Sequence, residues 1–228
     1  MYIKELWRYP VKSMAGEPLT RVRMGELGFE GDRKVLVGGG NRRLLTSRTH
    51  PQLLGLHGTL DGNGNALIHG HPWDSNEALE LVRAAVGPVA ELIYHDGPAR
   101  FDILPLLVAT DGAIAAFGHD FRRLRPNIVV GGVEGLEERS WPGKCLRVGD
   151  AMIGIQDLRG RCVMTTYDPD TLEQNPRVLK EIVQKFGGEL ALNCFVIQEG
   201  ELKVGDAVVL ATECEAAAAN AGVPKDQA

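Results

Sequence analysis

Residues 159–170 read Arg-Gly-Arg-Cys-Val-Met-Thr-Thr-Tyr-Asp-Pro-Asp. A single cysteine, Cys162, follows two arginines and a glycine in this stretch. The apolar and β-branched residues 163–167 predict a strand, and Asp-Pro-Asp at 168–170 predicts the turn after it. Cys162 is therefore expected at the edge of a strand, beside a loop that carries two positive charges.

The surroundings of Cys162 allow two interpretations. Nearby positive charge favours the thiolate, which is the form of cysteine that attacks electrophiles and binds metals. Residue type alone favours a simpler alternative, a half-buried structural thiol beside two solvated arginines. The choice between them depends on what else the chain brings to this loop.

Length and composition restrict the class of protein. The chain has 228 residues, enough for one large domain or for two small domains that share an interface. Apolar residues make up 44% and charged residues 24%, which is ordinary for a soluble globular protein. The net charge of −5 gives no overall basic field, so neither nucleic acid nor a membrane is expected as a partner. A local cluster of cations must therefore hold any anionic ligand.

Targeting signals and cysteine spacing suggest a compartment. The first residues run directly into a strand-like segment without the hydrophobic region of a signal peptide, and the apolar run at 103–109 is too short to span a bilayer. The four cysteines are widely spaced, with no Cys-x-x-Cys motif. This spacing argues against a disulfide framework, a zinc site or an iron–sulfur cluster in this chain. No flavin or haem motif is visible either, and we predict a cytoplasmic protein.

The spacing of turns predicts two domains. Short strand-like segments with close Gly and Asn turns suggest a small barrel or strongly bent sheet in the first part of the chain. The sequence His95-Asp96-Gly97-Pro98 is the best candidate for a boundary. We therefore predict domains at residues 1–96 and 97–212, followed by a flexible tail at 213–228.

Three helices are predicted from their capping signals. Asp74 is the expected N-cap of a helix over residues 75–86. Thr110 is expected to cap a short helix that ends at Phe117. Asn175-Pro176 is a good N-cap and N1 pair for a third helix, which Gly187 ends.

Four loops each place a cation and a polar partner at the end of a predicted strand. They are Lys12-Ser13, Asp32-Arg33, Arg125-Pro126-Asn127 and Arg161-Cys162. Each loop alone fits a solvated surface charge. Together they predict a pocket for a phosphate-bearing anion, in which arginines supply forked donors and a soft thiolate lies at the edge. A soft thiolate suits thiophilic metals better than magnesium or calcium.

The chain also resembles a known family. Six motifs carry the resemblance, and they occur in the order Leu6–Ser13 (LWRYPVKS), Gly31–Arg33 (GDR), Leu45–Arg48 (LTSR), Arg125–Val129 (RPNIV), Arg161–Thr171 (RCVMTTYDPDT) and Lys203–Asp206 (KVGD). The sequence is similar to the MOSC family with its N-terminal β-barrel companion domain. Within that family it most resembles the amidoxime-reducing molybdenum enzymes and their bacterial relatives. The resemblance covers residues 1 to about 212.

This resemblance implies a fold and a cofactor. The expected fold is mainly β (α+β): a MOSC-type β-barrel at 97–212, with a small N-terminal β-barrel or bent-sheet domain at 1–96 and a few short helices. The implied cofactor is molybdenum held by the dithiolene of a pyranopterin, the molybdenum cofactor (molybdopterin), with Cys162 as the protein ligand to the metal. The positions that match the family's cofactor-binding residues are Lys12, Ser13, Arg33, Arg125 and Asn127, with Arg161 beside the ligand cysteine.

One further position and one departure follow from the resemblance. Asp102 falls where the family has an acid near the metal, which makes it a candidate proton donor and, with Cys162, a catalytic residue. Relatives often carry small hydroxyl residues directly after this aspartate, whereas this chain has Ile103 and Leu104. Backbone N–H groups can still bind a phosphate there, but side-chain donors are lost.

The functional prediction is a molybdenum-dependent oxidoreductase. Its small substrates are expected to be N-hydroxylated compounds such as amidoximes, hydroxylamines and N-hydroxylated bases. Electrons must come from a separate donor protein, of the ferredoxin or flavodoxin type or a flavin reductase. The alternative is a carrier that delivers the cofactor or its sulfur, with Cys162 as a persulfide or transient ligand site.

Overall fold

The computed structural model describes residues 1–40 and 43–212, so the tail predicted at 213–228 lies outside the described residues. The strands up to residue 96 are β1 (Tyr2–Arg8), β2 (Glu17–Leu19), β3 (Arg21–Gly25), β4 (Gly28–Phe29), β5 (Val35–Gly38), β6 (Gly58–Leu60), β7 (Ala66–Ile68), β8 (His71–Pro72) and β9 (Glu91–Tyr94). The later strands are β10 (Leu106–Thr110), β11 (Ile128–Gly131), β12 (Cys145–Val148), β13 (Ala151–Gly160), β14 (Glu189–Gln198), β15 (Gly200–Lys203) and β16 (Val209–Ala211). The α-helices are α1 (Asn76–Val86), α2 (Asp111–Phe117) and α3 (Pro176–Phe186). The predicted mainly β fold with a few short helices is confirmed.

One large sheet joins the two ends of the chain. Its strand order is β16-β12-β13-β14-β10-β11-β1-β2, and β10 and β11 are the parallel pair. Strand β1 therefore lies inside a sheet whose other strands, except β2, come from the second half. Strands β3 and β4 form a second small sheet with β15. The boundary predicted after residue 96 stays a prediction, because these pairings show only which strands lie together.

The remaining strands form small sheets around a separate core. Strands β5 and β9 pair with each other, and β6, β7 and β8 form a three-stranded sheet. Their buried side chains pack against those of α1, with Val35, Ile68 and Val82 at the centre. Within residues 1–40 and 43–212 the named strands of this region do not close into a ring. The bent-sheet form of the prediction therefore describes it best.

The helix ends follow the predicted capping residues with one exception. Thr110 accepts a hydrogen bond from the backbone N–H of Ala113 and begins α2. Asn175 and Pro176 begin α3, and Gly187 ends it in the left-handed conformation with φ 69°. The predicted cap of α1 is wrong. Ser75 rather than Asp74 takes this position, because its extended backbone brings Oγ to the N–H of Ala78.

The strand predicted after Cys162 is also wrong. Strand β13 comes before the cysteine and ends at Gly160, while residues 163–166 form a 3-10 helix. Thr165 Oγ1 donates to the carbonyl oxygen of Cys162 at 2.9 Å, and Thr166 Oγ1 donates to that of Val163 at 2.6 Å. Threonine hydroxyls that bond locally to the backbone compete with sheet pairing, which explains the tight turn.

Three of the four cysteines lie in the described residues. Cys145, at the start of β12, is disulfide-bonded, so the wide spacing of the cysteines did not exclude a disulfide. Cys162 and Cys194 are free.

No helix in the described parts of the chain combines the length and apolar character needed to cross a bilayer.

Loops from both halves meet at one place. Tyr9, just after β1, donates its hydroxyl to the carbonyl oxygen of Pro126 at 3.1 Å. Lys12 donates to the carbonyl oxygen of Arg100 at 2.8 Å. These contacts fix the loop after β1 against the segments that precede β10 and β11, and a cavity lies between them.

Candidate functional site

All eight residues predicted for the site line one cavity of about 170 Å³. They are Lys12, Ser13, Arg33, Asp102, Arg125, Asn127, Arg161 and Cys162. The topology explains this convergence, because β1 and the turn at 30–33 lie beside the loops of the second half. Their common location is a structural fact, while their roles stay predictions.

Cys162 is held at the rim of the cavity by its backbone. Its carbonyl oxygen accepts hydrogen bonds from the N–H and the hydroxyl of Thr165, at 3.1 and 2.9 Å. The thiol is half-buried and makes no hydrogen bond to another described residue. The backbone therefore fixes the position of Cys162 and leaves its sulfur available.

The cavity carries a large excess of positive charge. One carboxylate, that of Asp102, faces seven cationic side chains: Lys12, Arg33, Arg48, Arg123, Arg125, Arg159 and Arg161. Exposed cations pair readily with solvent ions, but several of these are held in a recess where water screens charge less. A ligand with several negative charges is what such a surface binds best.

Arg125 is the clearest indication that the cavity can bind an anion. Its backbone adopts the left-handed conformation with φ 57°, which is uncommon for a residue other than glycine. Its guanidinium lies 4.3 Å from the centroid of the Tyr9 ring, yet within the described residues it makes no hydrogen bond or ion pair. Burial lowers the pKa of Arg125 to about 10, because its charge is desolvated without a counter-ion.

Arg161 shows the same deficit. Its Nη2 donates to the carbonyl oxygen of Leu124 at 2.8 Å, but its buried Nε has no partner among the described residues. Burial, reinforced by the neighbouring charge of Arg159, lowers the pKa of Arg161 to about 10. A buried donor left unpaired costs free energy, which an anionic ligand in the cavity would recover.

Arg33 and Asn127 belong to a network that shapes the wall. Arg33 pairs with the buried carboxylate of Asp32 and donates to Asn127 Oδ1 at 3.3 Å. The amide of Asn127 also donates to Asp32 at 3.3 Å and to the carbonyl oxygen of Trp7 at 3.2 Å. Its oxygen accepts from the N–H of Leu107 at 3.2 Å. Asn127 thus holds β1, the 30–33 turn and β10 together, so we infer a positioning role for it.

Asp102 is surrounded by cations. One carboxylate oxygen lies 2.7 Å from Lys12 Nζ, and the other lies 2.7 Å from Arg48 Nη2 and 3.9 Å from Arg159 Nη2. Burial alone would raise the pKa of Asp102, but the hydrogen bond and charge of Lys12, with the two arginines, lower it overall. Asp102 is therefore a carboxylate at neutral pH and carries no proton to donate until one reaches it.

Strained backbone accompanies the site. Ser13 and Arg33 adopt positive φ values of 73° and 53°, in addition to Arg125. Half of the six non-glycine residues with positive φ in the described chain therefore line this cavity. Such backbone conformations cost free energy and persist only where the surrounding structure enforces them. They are common at functional sites.

Sequence reasoning missed three arginines of the cavity. Arg48 pairs with Asp102, Arg159 donates to Asn193 Oδ1 at 3.2 Å, and Arg123 pairs with Asp168 at 2.8 Å. Two of them lie two residues from predicted site residues. Arg159 is in β13 and Arg161 directly follows the end of that strand at Gly160, so their closeness in the Arg-Gly-Arg-Cys stretch was the available signal. Arg48 reaches the cavity from a distant loop; it ends the Leu-Thr-Ser-Arg motif at 45–48, but no binding role was predicted for it.

The arrangement can bind a polyanion and offer one thiol to a metal. Among the described residues no cluster of three or more His, Cys, Asp or Glu side chains exists that could hold a metal ion. The described side chains therefore offer a metal at Cys162 no cluster of further protein ligands.

Comparisons with known proteins agree with this geometry. Residues 1–87 match the family model described as the MOSC N-terminal beta barrel domain, and residues 111–209 match the MOSC domain. The human mitochondrial amidoxime-reducing component 1 is 24% identical over 91% of this chain and 82% of its own length. The mitochondrial amidoxime reducing component 2 of Macaca fascicularis is 25% identical over 74% of this chain and 67% of its own length.

A solved structure supports the fold independently. The crystal structure of the YUAD protein from Bacillus subtilis superposes with a TM-score of 0.51, covers 93% of this chain and 96% of its own, and is 13% identical. At this identity the likeness concerns the fold alone.

Proposed function

Because its two halves match the MOSC N-terminal beta barrel domain and the MOSC domain, the chain belongs to the MOSC family, and we propose that it is a molybdenum-cofactor oxidoreductase. Its substrates are small N-hydroxylated compounds such as amidoximes, hydroxylamines and N-hydroxylated bases. Two relatives that match most of the chain are named as amidoxime-reducing components, which supports this choice of reaction.

The residues of the cavity fit a pyranopterin cofactor with a phosphate. The observation that carries the proposal is the set of unpaired cations beside a free thiol, above all Arg125 without a counter-ion and Arg161 with an orphaned Nε. A phosphate supplies the anion that these groups lack. A dithiolene supplies the metal ligands that the chain lacks, and Cys162 adds one soft thiolate.

When bound, this cofactor supplies two-electron redox chemistry and an acceptor for the substrate oxygen. The overall reaction cleaves the N–O bond, consumes two electrons and two protons, and releases water. In the proposed site Lys12, Ser13, Arg33, Arg125 and Arg161 hold the cofactor, and Asn127 positions Arg33. Cys162 anchors the metal.

The protons need a route that the charge of Asp102 permits. Since its pKa is lowered, Asp102 is a carboxylate at neutral pH, so in this proposal it relays to the substrate the two protons that enter from bulk solvent through bound water, and it does not begin the reaction protonated. Its two oxygens face Lys12 on one side and Arg48 on the other. Motion of the exposed Arg48 side chain would free one oxygen for this exchange.

The electrons come from outside the chain in this proposal. A separate donor protein, of the ferredoxin or flavodoxin type or a flavin reductase, delivers them one pair per turnover. We place the protein in the cytoplasm, and fractionation of the cells that express it tests this, since the matched human relative is named as mitochondrial.

The experiment that tests the function uses protein purified from cells competent in cofactor synthesis. We expect about one molybdenum per chain and reduction of benzamidoxime with a chemical reductant. Stoichiometric molybdenum without N-reductive turnover would contradict the enzyme and leave the cofactor assignment standing. Absence of molybdenum from such cells would contradict both.

A second candidate rests on the departure after Asp102. Ile103, which is 53% exposed, and Leu104 line the cavity and offer no hydroxyl donors. Weaker binding of the cofactor suits a carrier that transfers the cofactor or its sulfur to another protein, with Cys162 as the persulfide or transient ligand site. Mass spectrometry of the purified protein distinguishes the two, since a persulfide adds one sulfur atom to Cys162.

A further inference from the structure

A second cavity adjoins the first. Its volume is about 230 Å³, and it is lined by Trp7, Tyr9, Ala15, Gly16, Pro18, Leu54, His57, Arg122, Arg123, Arg125, Met164, Tyr167 and Pro169. It shares Arg123, Arg125 and Met164 with the first cavity but contains neither Cys162 nor Asp102. Of its lining residues, the proposed oxidoreductase uses Arg125 alone.

The aromatic side chains offer ring surface to this cavity. Trp7 Nε1 already donates to Glu5 at 2.8 Å, and the hydroxyl of Tyr9 donates to Pro126 at 3.1 Å. Burial raises the pKa of Tyr9 to about 12, so its ring stays neutral. With its polar atom occupied, the partly exposed Trp7 presents an apolar face on which a flat ring can stack, whereas the buried ring of Tyr9 is already covered by Arg125 and Arg33.

The charges at the cavity wall are compensated at two of its three arginines. Arg122 pairs with Asp120 and with Asp170, both at 2.6 Å. Arg123 pairs with Asp168 at 2.8 Å. Arg125 has no such partner among the described residues, so it is the one arginine of this wall that still lacks a counter-ion.

We propose that the second cavity binds a planar aromatic carboxylate of one or two rings. Stacking against Trp7 holds the ring, and the carboxylate pairs with Arg125, which lies between the ligand and the buried ring of Tyr9. An apolar cavity of about 150 Å³ accepts a benzene ring, so about 230 Å³ leaves room for a second ring. Charge complementarity at Arg125 selects an anionic compound over a neutral one of the same shape.

The test measures binding of 2-naphthoate to the full chain without molybdenum cofactor, by calorimetry. We expect one binding site and a dissociation constant below about 1 mM. Ala15→Met fills the cavity from a partly exposed position, and Tyr167→Ala removes part of its wall. Each should weaken binding at least about 10-fold, and circular dichroism verifies that each variant is folded.

Two further variants locate the site. Lys12→Met alters the first cavity alone and should leave binding of 2-naphthoate within about 2-fold. Arg125→Met should weaken 2-naphthoate about 10-fold and leave the neutral 2-naphthylmethanol unchanged. Binding that Lys12→Met abolishes and Ala15→Met preserves would overturn the proposal, as would the absence of saturable binding. Since no molybdenum is involved, either failure leaves the proposed enzyme unaffected.

Discussion

The two cavities are built on one arginine-rich segment and have opposite chemistry. Residues 122–125 supply Arg123 and Arg125 to both. Around the first cavity further cations accumulate from four other loops and a thiol stands at the rim. Around the second, carboxylates neutralise Arg122 and Arg123 but not Arg125, and aromatic side chains contribute to the wall. The number of arginines is thus a poor guide to function, because the acids that pair with them decide which ones remain able to bind a ligand.

The largest difference is expected at Cys162, which only the first cavity contains. Cys162→Ser should lower both molybdenum content and benzamidoxime reduction by more than about 100-fold, since it removes the single protein ligand to the metal. The thermal midpoint should change little, because the thiol makes no hydrogen bond to another described residue. Cys194→Ser is the matched control. Cys194 is fully buried in β14, so its replacement should lower stability and leave molybdenum bound. Full activity of Cys162→Ser would refute the assignment.

Two neighbouring arginines give the next comparison. Arg125→Met should weaken binding of pyrophosphate to the cofactor-free protein about 10-fold, because a charge-assisted hydrogen bond is lost. It should leave the thermal midpoint unchanged or higher, since the folded state no longer carries an unpaired desolvated charge. Arg122→Met should do the reverse: pyrophosphate binds as before, and loss of two partly exposed ion pairs costs about 1 kcal/mol of unfolding free energy. Calorimetry and thermal melting measure the two effects, and equal effects on pyrophosphate would erase the distinction.

Asp102 tests whether the first cavity contains its own competing anion. Asp102→Asn should tighten pyrophosphate binding about 5-fold, because Lys12 and Arg48 lose their internal counter-ion. A group with a lowered folded pKa stabilises the protein above its unfolded pKa, about 3.9, and this contribution disappears as pH falls through the folded value. The wild type should therefore melt above Asp102→Asn at pH 7, with a difference that shrinks below about pH 4. Weaker pyrophosphate binding by the variant would contradict this role.

The smallest effect is expected from restoring hydroxyl groups beside Asp102. The double replacement Ile103→Thr and Leu104→Ser should tighten pyrophosphate binding about 2- to 3-fold, the contribution of a modest neutral hydrogen bond. The exposure of Ile103 keeps the cost in stability small. Molybdenum retention during dialysis should lengthen in parallel. If the double variant loses molybdenum faster than the wild type, the apolar pair has a positive role that hydroxyls cannot replace.

Much of the first cavity could be predicted from sequence, because its residues occur in short motifs at strand ends. The eight predicted residues line the same cavity, and the caps of α2 and α3 are where Thr110 and Asn175 indicated. These features depend on local chemistry. A proline before Asn127 or a threonine before a helix restricts the backbone of only a few neighbouring residues. Their effects can therefore be predicted without knowledge of the fold.

The partners of these residues could not be predicted. The pKa of Asp102 is lowered by Lys12 and then by Arg48, which lies 54 positions away in the chain and joins it only through the fold. The same holds for Arg123, whose ion pair with Asp168 joins positions 45 residues apart in the chain. The strand predicted after Cys162 failed for a different reason: its β-branched residues favour a strand, but two hydroxyls bond to nearby carbonyls instead.

The pairing of the first strand with the last part of the chain has a consequence for biosynthesis. The N–H of Ile3 donates to the carbonyl oxygen of Asp206 at 2.9 Å, and that of Val208 to the carbonyl oxygen of Met1 at 3.0 Å. The start of β1 therefore gains this partner only after some 200 further residues have left the ribosome. Contacts this distant in sequence slow folding and expose strand edges meanwhile. A ligand that contacts both Lys12 and Arg161 would link the early part of the chain to a much later part. The yield of folded protein should therefore rise with the supply of the cofactor.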